Sequence, residues 1–204
     1  MAFPTTGILD DFNRANEGPP PSANWTGPWR TANLLVVNTN QLARSGGNAD
    51  AYWNPTTFGP NMEAFATLPV LPVVGAAILG GRLQSPGAGT TDGYATSWSP
   101  ASSGSLVFYR SDNAALTQLG ATVTSTSVSA GGQIGMSVVG SVISWYLNGS
   151  LVDTRSDATY SGAGYIGAGC NDATLRMDNF GGGTAVSLRF TNTLGIRSPI
   201  RYDL

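Results

Sequence analysis

Two short phrases near opposite ends of this 204-residue sequence share one pattern. They are Gly7-Ile8-Leu9-Asp10-Asp11-Phe12-Asn13-Arg14 and Leu175-Arg176-Met177-Asp178-Asn179-Phe180-Gly181-Gly182-Gly183. Each carries a strand-like apolar pattern, then an acidic-polar-Phe triplet, then a turn. Matched phrases of this kind predict two strands lying side by side in one β domain, with Phe12 and Phe180 in one core. They also place a boundary at Gly183. Residues 1–183 then form the domain, and residues 184–204 form a C-terminal strand or arm.

Between the two phrases no segment shows sustained helical periodicity. Strand-length runs recur between clusters of Gly, Pro, Asn and Ser. They fall at 33–37, 41–44, 62–68, 76–84, 92–98, 106–110, 116–123, 133–139, 142–147, 150–154, 165–170 and 175–180. Asn148-Gly149 is the clearest turn, because a type I′ hairpin needs two central residues at positive φ. That turn pairs Leu147 with Ser150. An unbroken register then sets Trp145 opposite Val152, Ser144 opposite Asp153 and Ile143 opposite Thr154. Gly181-Gly182-Gly183 reads as a turn or hinge. The whole pattern predicts an all-β, two-sheet antiparallel jelly-roll sandwich of one domain.

Composition removes much chemistry. There is no histidine and no lysine, and all ten basic residues are arginines. A Ser-His-Asp triad, a histidine metal site, a Schiff base and a P-loop lysine are therefore excluded. Net charge is −2 and the arginines are scattered, so neither a nucleic-acid nor a membrane partner is expected. The single cysteine, Cys170, sits in a Gly-rich apolar run and reads as a buried inert thiol. Residues 1–6 carry no positive charge and no long apolar run, so no signal peptide is expected.

Four elements carry a family resemblance. They are Asp10-Asp11-Phe12-Asn13-Arg14 with Asn24-Trp25; Leu79-Gly80-Gly81-Arg82-Leu83; Trp145-Tyr146-Leu147-Asn148-Gly149 with Leu151-Val152; and Gly164-Tyr165-Ile166-Gly167 with Asp178-Asn179-Phe180. The sequence resembles the concanavalin A-like lectin/glucanase superfamily in its laminin-G-like branch. The resemblance implies a jelly roll with one concave face and adjacent termini. The first element also resembles stand-alone laminin-G-like proteins of tailed-phage virions. The fold hosts lectins, hydrolases and structural modules alike, so function must come from the site.

Superfamily glucanases use two glutamates flanking an aspartate on one strand, and retaining chemistry needs its two carboxyls about 5–5.5 Å apart. Here the only glutamates are Glu17 and Glu63, which have no such spacing, so no catalytic residue is assigned. Asp10, Asp11, Asp178 and Asn179 converge if the matched strands pair, and superfamily members often hold Ca²⁺ in this way. Asp and Asn are equally the residues of turns, and that reading leads. No cofactor is expected. Tyr94, Trp98, Tyr109 and Arg110 are candidates to line a glycan-binding concave sheet, with Asp92, Tyr94, Thr96 and Trp98 on one strand face. Core packing is the competing role. Phe190, Leu194, Ile196, Ile200, Tyr202 and Leu204 are candidate assembly contacts of the C-terminal segment.

The resulting expectation is a non-enzymatic structural protein of a phage virion, a capsid decoration or a tail or fibre component. Its jelly roll is displayed on the particle surface after synthesis in the host cytoplasm. Its partners are other virion proteins and copies of itself, as a homo-oligomer for which a trimer is one form, and host-surface glycans. A carbohydrate-binding module recognising cell-surface glycans is the alternative. A glycan hydrolase or lyase is a third class, disfavoured by the missing acid and base.

Overall fold

With no α-helix among the described residues to cover them, alternating apolar side chains are buried on one face of each strand when two sheets press together. That is the arrangement in the computed structural model, which describes residues 2–30 and 33–185. The strands in chain order are β1 (Ile8–Asp10), β2 (Trp25–Thr26), β3 (Leu35–Asn38), β4 (Gln41–Arg44), β5 (Ala49–Trp53), β6 (Met62–Val70), β7 (Ala77–Gln84) and β8 (Asp92–Ser99). They continue as β9 (Ser105–Asp112), β10 (Ala115–Gln118), β11 (Val123–Thr124), β12 (Gln133–Val139), β13 (Val142–Leu147), β14 (Ser150–Ser156), β15 (Tyr165–Cys170) and β16 (Arg176–Thr184). The first sheet runs β14-β13-β12-β6-β16-β4-β3, with β1 also beside β16. The second runs β10-β9-β8-β7-β15-β5-β2, with β11 beside β9. All the strand pairings are antiparallel.

The matched phrases do pair. Ile8 lies opposite Gly181 and Asp10 opposite Phe180. Phe12 and Phe180 are fully buried and both pack on Trp25, their ring centroids 5.9 and 4.9 Å from the indole. Burying a side chain of this size contributes roughly 1.5–3 kcal/mol relative to leaving it in water. Phe12 reaches the core from a backbone at φ 50°, and the Asp10 carboxylate accepts its amide at 2.9 Å.

The Asn148-Gly149 turn forms as expected, with φ of 48° and 78° and Leu147 opposite Ser150. The register expected beyond it is wrong. Trp145 faces Asp153, Ser144 faces Thr154 and Ile143 faces Arg155. Val152 is an extra residue between the Tyr146–Leu151 and Trp145–Asp153 pairs, a β-bulge on an edge strand. Such bulges bend an edge and blunt it against stray pairing.

The glycine triplet is neither turn nor hinge. Gly181, Gly182 and Gly183 lie inside β16, opposite Phe65, Ala64 and Glu63 of β6. Close approach requires them. A Cβ on Gly181 would lie 2.2 Å from the Phe65 ring, and one on Gly182 would lie 2.3 Å from the Glu63 carbonyl. β16 continues to Thr184, and the Ala185 amide donates to the Asn61 carbonyl at 2.9 Å. Cys170 is buried, its thiol donating to the Asp172 carbonyl at 3.0 Å and its pKa raised by burial.

Candidate functional site

The four residues expected to form a glycan surface go to three different places. Tyr94, Thr96 and Trp98 do share a face of β8, but it is the inner face. Tyr94 is 0% and Trp98 1% exposed, so neither ring has a face open to a ligand. The Trp98 indole donates to the Thr126 carbonyl at 2.8 Å. Successive residues of β9 then point opposite ways. Arg110 lies at the rim of the inner face, and Tyr109 lies on the outer face, opposite Ala95 and packed on the small cluster around Trp29.

The rim holds a closed polar network. The Tyr94 hydroxyl donates to Asp157 at 2.8 Å and accepts the Tyr160 amide at 3.0 Å. Arg110 pairs with Asp112 at 2.9 Å and with Asp157 at 3.1 Å. The Tyr160 hydroxyl lies 2.7 Å from Asp112 and 3.0 Å from Asp92. Burial pushes the Tyr94 hydroxyl up to about 12. Hydrogen bonds from Tyr160 and Arg110 hold Asp112 below the usual carboxylate range. The polar atoms of this cluster serve one another, which fixes the loop around Asp157 against β8 and β9.

A second arrangement, on the outer face of the second sheet, was not found from sequence. Residues opposite one another across the strands form a row: Tyr109, Ala95, Gly80, Gly167, Tyr52. Small residues in the middle and tyrosines at the ends make a trough. The loop after β2 lays Trp29 into it, fully buried. A Cβ on Gly167 would lie 3.0 Å from the Trp29 indole nitrogen, and one on Gly80 would lie 3.3 Å from its ring. The Asp50 carboxylate accepts the Trp29 amide at 2.7 Å and the Arg30 amide at 3.0 Å. The Thr91 hydroxyl donates to the Trp29 carbonyl. The Arg30 guanidinium lies 5.6 Å from the Trp29 ring and 3.9 Å from Asp50, and burial lowers its pKa.

Around this plug Tyr52, Tyr165 and Tyr109 remain partly exposed. The Tyr52 and Tyr165 rings stand 5.0 Å apart at 54°. Burial, then the neighbouring Tyr165, raises the Tyr52 pKa. The alternation Asp50-Ala51-Tyr52-Trp53 held the signal, with Ala51 and Trp53 inward and Tyr52 outward.

Both glutamates have structural partners. Glu17 pairs with Arg14 at 2.7 Å. Glu63, on β6, accepts the Thr5 amide, the Thr6 amide and the Thr6 hydroxyl at 2.6–2.7 Å. Asp10 is equally committed, to Phe12, Arg14 and Trp25. Burial, then the nearby Asp11 and Asp10, raises the Asp178 pKa. Among the described residues no group of three or more acidic, histidine or cysteine side chains is placed to hold a metal ion. Phe190, Leu194, Ile196, Ile200, Tyr202 and Leu204 lie outside the described residues.

No protein-family model and no curated protein matches the sequence. Solved structures do match. The carbohydrate-binding module CBM66 from Bacillus subtilis superposes with a TM-score of 0.58 at 19% identity, covering 77% of this chain and 93% of its own. A Bacillus subtilis protein of unknown function with a galectin-like fold gives 0.60 at 13% identity, covering 91% and 99%. The fold is the concanavalin A-like jelly roll. A β-1,3-1,4-glucanase (lichenase) derived from a mouse hindgut metagenome shares this jelly roll, with a TM-score of 0.55 at 11% identity and coverage of 87% and 98%. Likeness at these identities establishes the jelly roll and leaves the chemistry to the residues.

Proposed function

We propose that this protein is a non-enzymatic, carbohydrate-recognising jelly roll, displayed as a structural component on the surface of a phage virion. The observation that carries the recognition half is the set of tyrosines on the outer face of the second sheet. Tyr52 and Tyr165 form one amphipathic platform beside Trp29, and Tyr109 forms another across the trough. Aromatic rings of this kind stack against apolar sugar faces, while their hydroxyls reach the sugar rim. Lectin-like and carbohydrate-binding neighbours support the same reading. Non-catalysis is supported by Glu17 and Glu63, which are bound to Arg14 and to the Thr5-Thr6 backbone rather than to each other.

Trp29 narrows the ligand. It fills the middle of the trough, so a long glycan cannot lie across all five strands. Short or terminal sugars on the Tyr52–Tyr165 side are the expected class. Affinity electrophoresis of the intact protein against a polysaccharide panel, with laminaritetraose as soluble competitor, tests this. Tyr52→Ala with Tyr165→Ala should abolish retention and leave the melting temperature within a few degrees. Retention that survives the double substitution, or none with any glycan, would remove the reading.

The virion half rests on the sequence resemblance and on residues 184–204 as an attachment segment, contacting other virion proteins or copies of this chain. A chain ending at residue 185 should stay folded and soluble but fail to join purified particles. Incorporation of that truncated chain at the wild-type level would overturn it.

A further inference from the structure

The outer face of the first sheet carries a feature that glycan recognition does not use. Residues 2–6 cross this face as an arm. Phe3 stacks on Tyr146 with ring centroids 4.0 Å apart and meets Phe65 edge-on at 6.4 Å. Gly135 leaves the slot open, since a Cβ there would lie 2.1 Å from the Phe3 ring. Beside the arm is a cavity of about 120 Å³, lined by Ala2, Phe3, Thr5, Glu63, Ser137, Val139, Tyr146 and Ala185.

Glu63 is the group that defines it. The residue is 2% exposed, and all three of its hydrogen bonds go to one oxygen, Oε1. Oε2 receives none from the described residues, and no described arginine pairs with the carboxylate. Three donors at 2.6–2.7 Å converge on Oε1. A cation brought to the other oxygen would give this carboxylate a partner of opposite charge. The other walls sort by chemistry. Ala2, Phe3, Val139 and Ala185 are apolar, while Ser137 and Tyr146 add hydroxyls on the sheet side, 3.4 Å from one another.

Apolar walls with one anionic group match a methylene stem that ends in a positive charge. The cavity has room for several waters, or for such a stem in their place. We propose that this cavity receives the ε-ammonium group of a lysine side chain from a different protein. The chain contains no lysine, so another copy of it cannot supply the group. The site is therefore a contact for a heterologous partner, and it stands or falls independently of any glycan.

The test is a titration of ¹⁵N-labelled full-length protein with n-butylammonium, which reproduces the end of a lysine side chain. Saturable shifts at the Thr5, Thr6 and Ser137 amides are expected. Neutral n-butanol should bind at least tenfold more weakly, and so should n-butylammonium to Glu63→Gln. Glutamine can still accept the Thr5 and Thr6 amides, so their unchanged starting shifts will show that the arm stays docked. Val139→Trp fills the cavity from the other wall, keeps Glu63, and should cause the same loss. Shifts absent from the wild type, or equal in Glu63→Gln and Val139→Trp, would overturn the proposal. Tenfold tighter binding of n-butylguanidinium would also overturn it, because it would assign the cavity to arginine.

Discussion

The Trp25 indole N–H donates to Oδ2 of Asp10 at 2.8 Å, tying the β1–β16 strand pair to the centre of the core. The same carboxylate accepts from Arg14 at 2.6 and 3.0 Å. Asp10 is thus a buried junction in the fold. Asp10→Ala leaves the Trp25 and Phe12 N–H groups without an acceptor and should cost about 2–4 kcal/mol in urea unfolding. Wild-type protein should show the same melting temperature with and without excess EGTA, because the donors around Asp10 already fill its oxygens.

Trp29 is a test of the outer face. It packs on the two glycines that make room for it and is covered by partly exposed tyrosines. Trp29→Ala should cost about 3–5 kcal/mol, the range for emptying a large aromatic site. Urea unfolding followed by circular dichroism measures it. A loss below about 1 kcal/mol would mean that the loop rests on the sheet without holding it.

Gly182 sits at φ 150° with the Glu63 carbonyl and the Ile166 side chain in the space a Cβ would need. Gly182→Ala should destabilise by about 1–3 kcal/mol through overpacking between β16 and β6. Gly7→Ala is the matched control, since nothing lies within 4 Å of its Cβ position. Its effect in the same unfolding experiment should stay within about 0.5 kcal/mol.

Asp172 gives a pH signature. Burial alone would raise its pKa. Hydrogen bonds from the Thr174 hydroxyl and from the Val74, Gly75 and Thr174 amides outweigh that and hold it well below the usual range. The unfolded chain takes up this proton near pH ~3.9. The stabilisation is therefore complete above about pH 4 and drains away as pH falls toward the lower folded value. Calorimetry should show Asp172→Asn melting below wild type at pH 6. The gap should shrink as the pH approaches 2.

How much of this was legible in the residues depends on which physical rule was in play. Period-two alternation located most strands, and Asn148-Gly149 fixed its own turn because few other pairs accept two positive φ values. Alternation also grouped Tyr94 with Trp98 correctly. It could not say that their shared face is the inner one, because sidedness is decided by what packs across the sandwich. It separated Tyr109 from Arg110 by the same rule, and reading them as one patch ignored it. The Val152 bulge and the glycine triplet inside β16 depend on neighbouring strands distant in sequence. β5 was missed because Gly46-Gly47-Asn48 and Asn54-Pro55 made its surroundings read as loop. The Trp29 plug needed the row Gly80–Gly167, two glycines adjacent only after pairing.

β16 lies in the interior of the first sheet, with β6 along one side and β4 and β1 along the other. Among the described strands it is also the last to leave the ribosome. Until residue 176 has been made, β6 and β4 lack the strand that pairs with both. Long-range pairing of this kind is slow and exposed to aggregation. Vectorial synthesis therefore cannot complete this domain piecemeal. Its first sheet stays incomplete until the second of the two matched phrases arrives to meet the first.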